Sequence, residues 1–402
     1  MVDCAIIDVD EHVFEHRRTW LDSIDPSWRD DALRIEDDER GWPWLTWRGS
    51  HLYPVEIQHP GRPDEVGERR CRMAAGGDAP GRYEDLLPRA YGSPAGRLEM
   101  LDRSGLAGAV LFPNFGLVWE QALASDRPAR RANMAAYNRW VAGVQADGAG
   151  RLFAVAHLSL DDPEWAAREI AALGASGMRL AMIAPAPVDG LPLSDRSFDG
   201  VWAAFVDAGV SPVFHVSSFP SPLDPAWHRG DPEPLDHLLD SVFLSLAPAV
   251  AIASMILHGT FERFPTLRLG VVELTAGWVP SFLLHLDGAF DFYIARHGEW
   301  YQSLSLRPSE YFLRNVRVGA LPYEAPARLV RQLGDHTFMY GSDWPHAEGV
   351  ADPGGAGRKA VQGLDGDAAA GLLGANAAWL LGGGADRLLA GGDAGPSHGG
   401  AA

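Results

Sequence analysis

Short aliphatic or β-branched runs alternate with Ala/Leu/Arg-rich amphipathic stretches along almost the whole chain, and this alternation limits the fold more than any other feature. The candidate strands are Ala5–Val9, Ala109–Phe112, Leu152–Ala156, Met178–Ile183, Ser211–His215, Leu269–Glu273, Val316–Gly319 and Thr337–Tyr340. Between them lie helical candidates at Arg97–Ser104, Ala129–Gln145, Pro163–Leu173, Phe198–Ala208, Pro234–Leu246, Val279–Tyr293 and Glu324–Gln332. Eight strands alternating with helices predict an α/β fold of the (β/α)8 TIM-barrel type. No Gly-rich dinucleotide turn follows the first strand, which argues against a doubly wound sheet. Residues 1–381 read as one barrel domain. An insertion at about 20–95 interrupts the first repeat and carries Trp42, Trp44, Trp47 and Tyr53. A hairpin at Trp44–Tyr53 is expected there, capping the barrel mouth and offering aromatic surface to a flat ligand. Residues 382–402 are Gly/Ala-rich and are expected to form a flexible tail.

Composition narrows the partners. The 402 residues carry a formal net charge of −19 and a pI near 5.1, which excludes nucleic acid and anionic membrane as natural partners. Cys4 and Cys71 are too few for a disulfide scaffold and suit a reducing compartment. The first residues lack a basic n-region, and no apolar run reaches the ~18 residues that cross a bilayer. A cytoplasmic protein acting on a small molecule is the expectation.

In a barrel of this kind, side chains at the carboxyl ends of the strands face the reaction. Four strand ends carry chemistry. The first runs Ile6-Ile7-Asp8-Val9-Asp10-Glu11-His12, and alternation puts Asp10 and His12 on one side. The fifth ends in His215, the sixth in Glu273 and the eighth in Asp343 after the turn at Gly341. Each alone is as well explained by a helix cap or an ion pair. Together, Asp10, His12, His215 and Asp343 offer two imidazoles and two carboxylates, a set suited to one divalent ion, zinc first and manganese next.

These residues also carry a resemblance. Asp8-Val9-Asp10-Glu11-His12, Ala136-Tyr137-Asn138-Arg139-Trp140, Gly177-Met178-Arg179-Leu180, Val213-Phe214-His215, Phe261-Glu262-Arg263-Phe264-Pro265, the Glu273 to Trp278 segment, Gly341-Ser342-Asp343-Trp344-Pro345-His346 and Gly374-Ala375-Asn376-Ala377 resemble the amidohydrolase superfamily. The likeness is to the branch related to aminocarboxymuconate semialdehyde decarboxylase, often called amidohydrolase family 2, and spans about residues 5–381. It implies a metal-dependent enzyme, a homodimer, and a strand-one His-x-His, strand-five His and strand-eight Asp as ligands. The chain departs from that pattern twice: Asp10 replaces the first His, and Glu273 stands where many relatives place a His. Two-metal relatives bridge their ions with a carboxylated lysine on the fourth strand. Here Lys359 is the sole lysine and the fourth strand offers Arg179, so one ion per chain is expected.

The expected chemistry follows. The metal activates a carbonyl or carboxyl group of a small, aromatic substrate for nucleophilic addition, by hydrolysis or intramolecular cyclisation, with Asp343 as general base and Glu273 orienting water. The alternative is nonoxidative decarboxylation of an aromatic or muconate-like acid, and the remote alternative a metal-free binding barrel. Replacement of the strand-six histidine by Glu273 favours addition. Further candidates are His258 as a catalytic pocket residue or an ordinary helix-terminal histidine, His346 as an orienting partner of Asp343, and Asn114, Phe115 and Trp344 as substrate contacts, with packing or surface the alternative for Trp344. Arg179 is a candidate for a substrate carboxylate or for a buried ion pair.

Overall fold

The computed structural model describes residues 4–228, 234–298 and 304–390. In chain order the strands are β1 (Ile7–Val13), β2 (Arg34–Asp37), β3 (Pro43–Trp47), β4 (Ser50–Pro54), β5 (Gly108–Pro113), β6 (Leu152–His157), β7 (Leu180–Met182), β8 (Ser211–Phe214), β9 (Leu269–Val271), β10 (Val316–Ala320) and β11 (Phe338–Tyr340). Eight of them form the barrel sheet in the order β1-β5-β6-β7-β8-β9-β10-β11, with every hydrogen-bonded pair parallel. Glu11 bridges to Trp344 and the His12 amide donates to the Trp344 carbonyl at 2.8 Å, joining the two edge strands beyond β11. All eight expected strands are present, and the (β/α)8 barrel is the fold.

Two apolar layers hold it. Ile7, Val9, Val110, Phe112, Phe153, Val155, Leu180, Met182, Val213, Val272 and Met339 fill the interior, with Leu117 over them. The opposite faces of the strands pack against the helices through residues such as Leu111, Ala154, Ala181, Phe214 and Val318. Each strand is therefore buried on both sides, as a parallel barrel demands. Asp126, Asp162, Asp352 and Asp365 cap helix starts by accepting from backbone amides two or three residues into the helix.

The insertion forms a three-stranded antiparallel sheet, β2-β3-β4, larger than the expected hairpin. Arg48 and Gly49 turn β3 into β4 with positive φ of 48° and 75°. The tryptophans are spent inside this unit. Trp42 donates to the Gly77 carbonyl, Trp44 stacks on His51 at 4.7 Å, and Trp47 lies under the Arg48 guanidinium at 4.3 Å. They offer no aromatic surface to the barrel mouth. The insertion reaches the site through Gln58 and Gly61, which bond Ala347 just past the eighth strand. At the other end, Gly382 continues into a short helix, Asp386–Leu389, with Ala385 and Leu388 against the barrel floor. The rest of the expected tail, from 391, lies outside the described residues. Among the described residues no helix is long and apolar enough to cross a membrane.

Candidate metal centre

The first strand owes its chemistry to a break in alternation. Ile7 and Val9 point into the barrel, so strict alternation would send Asp10 and His12 outward. Asp8 pairs with Ala109, but Glu11 pairs with Leu111, so Val9 and Asp10 together face Val110. This bulge resets the phase and turns Asp10 and His12 inward, while Glu11 turns out. The Asp8 carboxylate fixes the bulge by accepting from the amides of Asp10 at 3.2 Å and Ser342 at 2.9 Å. Glu11 meets Arg97 at 2.6 Å in a fully buried pair, and Arg97 lies 4.4 Å over the Trp344 ring.

The inward side chains converge. His12 Nε2 is 3.6 Å from Asp10 Oδ1, 3.6 Å from Glu273 Oε2 and 3.4 Å from Asp343 Oδ1. His215 Nε2 is 3.5 Å from Asp10 Oδ1 and 3.2 Å from Glu273 Oε2. Asp10, His12, His215 and Glu273 form one group of potential ligands, and His12, Glu273, Asp343 and His346 an overlapping one. Both ligand imidazoles are oriented from behind: His12 Nδ1 donates to the Pro113 carbonyl at 3.0 Å and His215 Nδ1 to that of Val216 at 2.8 Å. This fixes the tautomer and leaves each Nε2 lone pair aimed at the centre. Phe112 stacks on His215 at 3.9 Å and closes the floor.

The donor atoms fit a cation and fit nothing else present. Asp10 Oδ1 and Oδ2, His12 Nε2, His215 Nε2, Glu273 Oε2 and Asp343 Oδ2 are all buried without a hydrogen-bond partner. Ligands about 2.1 Å from a tetrahedral ion stand roughly 3.4 Å apart, which matches the separations here. Three carboxylates in one dry space repel, and the titration of the site shows it. Burial, then the Asp343 charge, pushes Glu273 up to about 8. Burial also works against ionised Asp343, yet the charge of His346 and the hydrogen bonds from His12 and His346 hold it well below the usual carboxylate range. Burial would lower His12, but Asp10, Asp343 and Glu273 together raise it far above an ordinary imidazole. A divalent ion would relieve this excess of negative charge.

His346 Nδ1 lies 2.6 Å from Asp343 Oδ1, as expected of an orienting partner, and its Nε2 lies 3.0 Å from Asn114 Oδ1. Asn114 thus enters the site through His346. Glu273 is drawn into the ligand group itself, beyond the water-orienting role read from the sequence. Four other expectations are corrected. Arg179 precedes the first residue of β7, beside Gly209 and Gly384, at the barrel end opposite the site. The strand reaches the site only after Met182, and Arg179 cannot bind a substrate there. His258 ends the helix Leu246–Leu257 on the outside of the barrel, exposed and bonded to Ser194 and Ser254. Phe115 packs against Phe14 and Tyr83, and Trp344 between Arg97 and Tyr91, so both rings belong to the core. The sequence reading also missed Asp8, Arg97 and Gly341; the double run of inward residues Ile7-Val9 followed by Asp10-His12 was the available signal for the first.

Fold and site define a class: a parallel barrel enzyme with a carboxylate–imidazole cage at the carboxyl ends of its strands. The family model described as amidohydrolase matches residues 7–383, and the chain belongs to that family. An amidohydrolase from Mycobacterium avium subsp. paratuberculosis is similar in structure, with a TM-score of 0.78 and 28% identity over 95% of this chain and 100% of its own. A 5-carboxyvanillate decarboxylase from Novosphingobium aromaticivorans, solved with manganese and 4-hydroxy-3-methoxy-5-nitrobenzoic acid, matches with a TM-score of 0.63 and 19% identity, covering 94% of this chain and 96% of its own. A 2,6-dihydroxybenzoate decarboxylase from Rhizobium matches with a TM-score of 0.58 and 17% identity, over 94% and 98%. No curated protein matches the sequence significantly. The protein is an enzyme of the amidohydrolase family.

Proposed function

We propose that the chain catalyses metal-dependent, nonoxidative decarboxylation of a small aromatic carboxylic acid. One observation carries this reading: His346 has a carboxylate oxygen on one ring nitrogen and an amide oxygen on the other, 2.6 Å from Asp343 and 3.0 Å from Asn114. Both ring nitrogens face acceptors, so His346 is placed to pass a proton to Asp343. Decarboxylation needs a proton delivered to the ring carbon that loses its carboxylate, whereas hydrolysis starts by taking one from water.

The reason for preferring addition also falls away. It rested on Glu273 as a substitute for a catalytic histidine, and Glu273 stands among the ligands. The decarboxylases among the similar folds support the same choice.

Asp10, His12 and His215 would hold the ion, with Glu273 and Asp343 at its edge. When bound, it would supply Lewis acidity and a fixed charge for an oxygen of the substrate carboxylate or an adjacent hydroxyl. Three carboxylates make the set harder than the sequence suggested and favour manganese over zinc. Asp343, protonated from His346, hands its proton to the ring carbon as the carbon–carboxylate bond breaks. The electron pair of that bond goes to the new C–H bond, and carbon dioxide leaves. Asn114 holds His346 in line while the ring is reprotonated from solvent. Phe112 and the apolar floor exclude water, which favours loss of a charged carboxylate as a neutral gas.

The test is incubation of the manganese-loaded protein with a panel of hydroxybenzoates and their methyl esters. Carbon dioxide release with the matching phenol is expected. Ester hydrolysis without carbon dioxide would overturn the proposal in favour of addition chemistry.

A further inference from the structure

His157 is the last residue of β6 and is almost completely buried. It pairs in register with Met182, which belongs to the barrel interior, so His157 points inward one layer above Val155. β5 and β6 run parallel, Leu111 against Ala154, so the end of β6 lies beside the end of β5, where Asn114 follows Pro113. Asn114 is the residue that holds His346. His157 therefore stands in the top layer of the barrel, on the wall across from the strands that carry the ligand cage.

A second acidic residue fixes its ring. His157 Nε2 is 3.1 Å from Glu120 Oε2, and Trp119 meets the ring edge-on at 5.4 Å. A carboxylate only accepts, so Nε2 is the donor toward Glu120, and in that tautomer Nδ1 is an acceptor. That Nδ1 is buried and has no partner. A buried acceptor left without a donor is costly, and its natural complement is an O–H or N–H group brought by a ligand. Glu120, with Arg130, Ser159 and Asp161, lines a separate cavity of about 230 Å³ that His157 does not border. The decarboxylation mechanism uses none of these groups.

We infer that the Glu120–His157 pair is a specificity element that accepts a hydrogen bond from a hydroxyl group on the substrate ring, and so selects phenolic acids over methylated or unsubstituted ones. The inference rests on the aromatic-acid reading of the site. It adds a requirement the cage does not impose: a donor on the ring edge facing β6. Sites built to bond a substrate hydroxyl reject analogues that lack it far more strongly than apolar pockets reject an extra group.

The test measures binding by calorimetry on the manganese-loaded protein, with 2-, 3- and 4-hydroxybenzoate and the three matching methoxybenzoates. At least one hydroxybenzoate should bind the wild type tenfold or more tightly than its methoxy partner. His157→Phe should bring that ratio below about twofold without changing manganese content or methoxybenzoate affinity. His157→Gln, which keeps an acceptor, should recover part of the ratio and guards against a loss of folding in the Phe variant. A preference that survives in His157→Phe overturns the inference while leaving the decarboxylase reading intact. If no benzoate of either kind binds the wild type, the aromatic-acid reading fails and the inference fails with it.

Discussion

Gly341 lies so close to Asp10 that a Cβ built on it would stand 2.8 Å from the Asp10 Cβ. The contact is with the stem of the side chain, which cannot swing aside without moving the carboxylate. Gly341 therefore sets how near the eighth strand comes to the bulge of the first, and with it the position of the Asp10 oxygens. Gly341→Ala should fold, because the strand is otherwise well packed, yet bind manganese at least tenfold more weakly than the wild type. Competition with a fluorescent chelator measures this. Wild-type affinity in the variant would show that the approach of the two strands does not position Asp10.

Asp343 is held at a positive φ of 57°, and Glu273 at 54°, backbone that a side chain other than Gly, Asn or Asp adopts at a cost of about 1–3 kcal/mol. The strain therefore falls on Glu273, which suits a geometry kept for function, while Asp343 holds the same backbone at little cost. Asn adopts this backbone as readily as Asp, so Asp343→Asn isolates chemistry from conformation. It should leave the melting temperature within a few degrees, retain the ion through Asp10, His12, His215 and Glu273, and lower kcat at least a hundredfold. Retention of more than a tenth of wild-type turnover would remove Asp343 from the proton path.

The barrel and most of the cage were legible in the sequence, because parallel strands buried on both faces leave plain aliphatic runs and the ligands sit where those runs end. The ends themselves explain the errors. Arg179 was read as belonging to the fourth strand without weighing which end it occupies; it precedes Leu180, at the amino end of β7, which in a barrel is the floor. His258, weighed as a pocket residue or a helix-terminal histidine, is the latter, at the end of Leu246–Leu257. Glu273 was correctly placed, but its proximity to His12 and His215 is a tertiary fact that the sequence does not show. These corrections predict silence: Arg179→Ala and His258→Ala should each keep kcat/KM within about twofold of wild type. A loss beyond tenfold in either would mean the site extends further than the cage.

The pair of Arg97 and Glu11 is buried on both sides, at 2% and 0% exposure, and lies directly behind His12. Arg97 also reaches the His12 carbonyl and the Ala90 carbonyl, so it ties the bulged strand to the helix Pro94–Ser104. Removing one partner strands the other charge without water. Arg97→Met should cost about 3–5 kcal/mol in urea unfolding. Arg97→Met with Glu11→Gln should recover much of that loss, because the uncompensated carboxylate is gone. A double variant no more stable than the single would show that the cost lies in the lost carbonyl contacts instead.

Glu15 is buried without a cation, accepting from the amides of Phe115 and Gly116 at 2.9 and 2.8 Å. Burial outweighs these bonds and pushes its carboxyl up to about 7 from an ordinary value of 4.5. The folded chain then holds this proton over a range where the unfolded chain has lost it, so stability falls as pH rises between about 4.5 and 7 and levels off above. The span corresponds to roughly 3 kcal/mol at most, at 1.36 kcal/mol per pH unit. Glu15→Gln cannot titrate, so the difference in unfolding free energy between variant and wild type should shift in favour of the variant by about that amount from pH 5 to pH 8. Urea titrations at half-unit intervals measure it, and the comparison cancels every other ionising group the two proteins share. A flat difference would mean that Glu15 stays ionised in the folded protein, held by the two amides that also fix the turn carrying Asn114 toward His346.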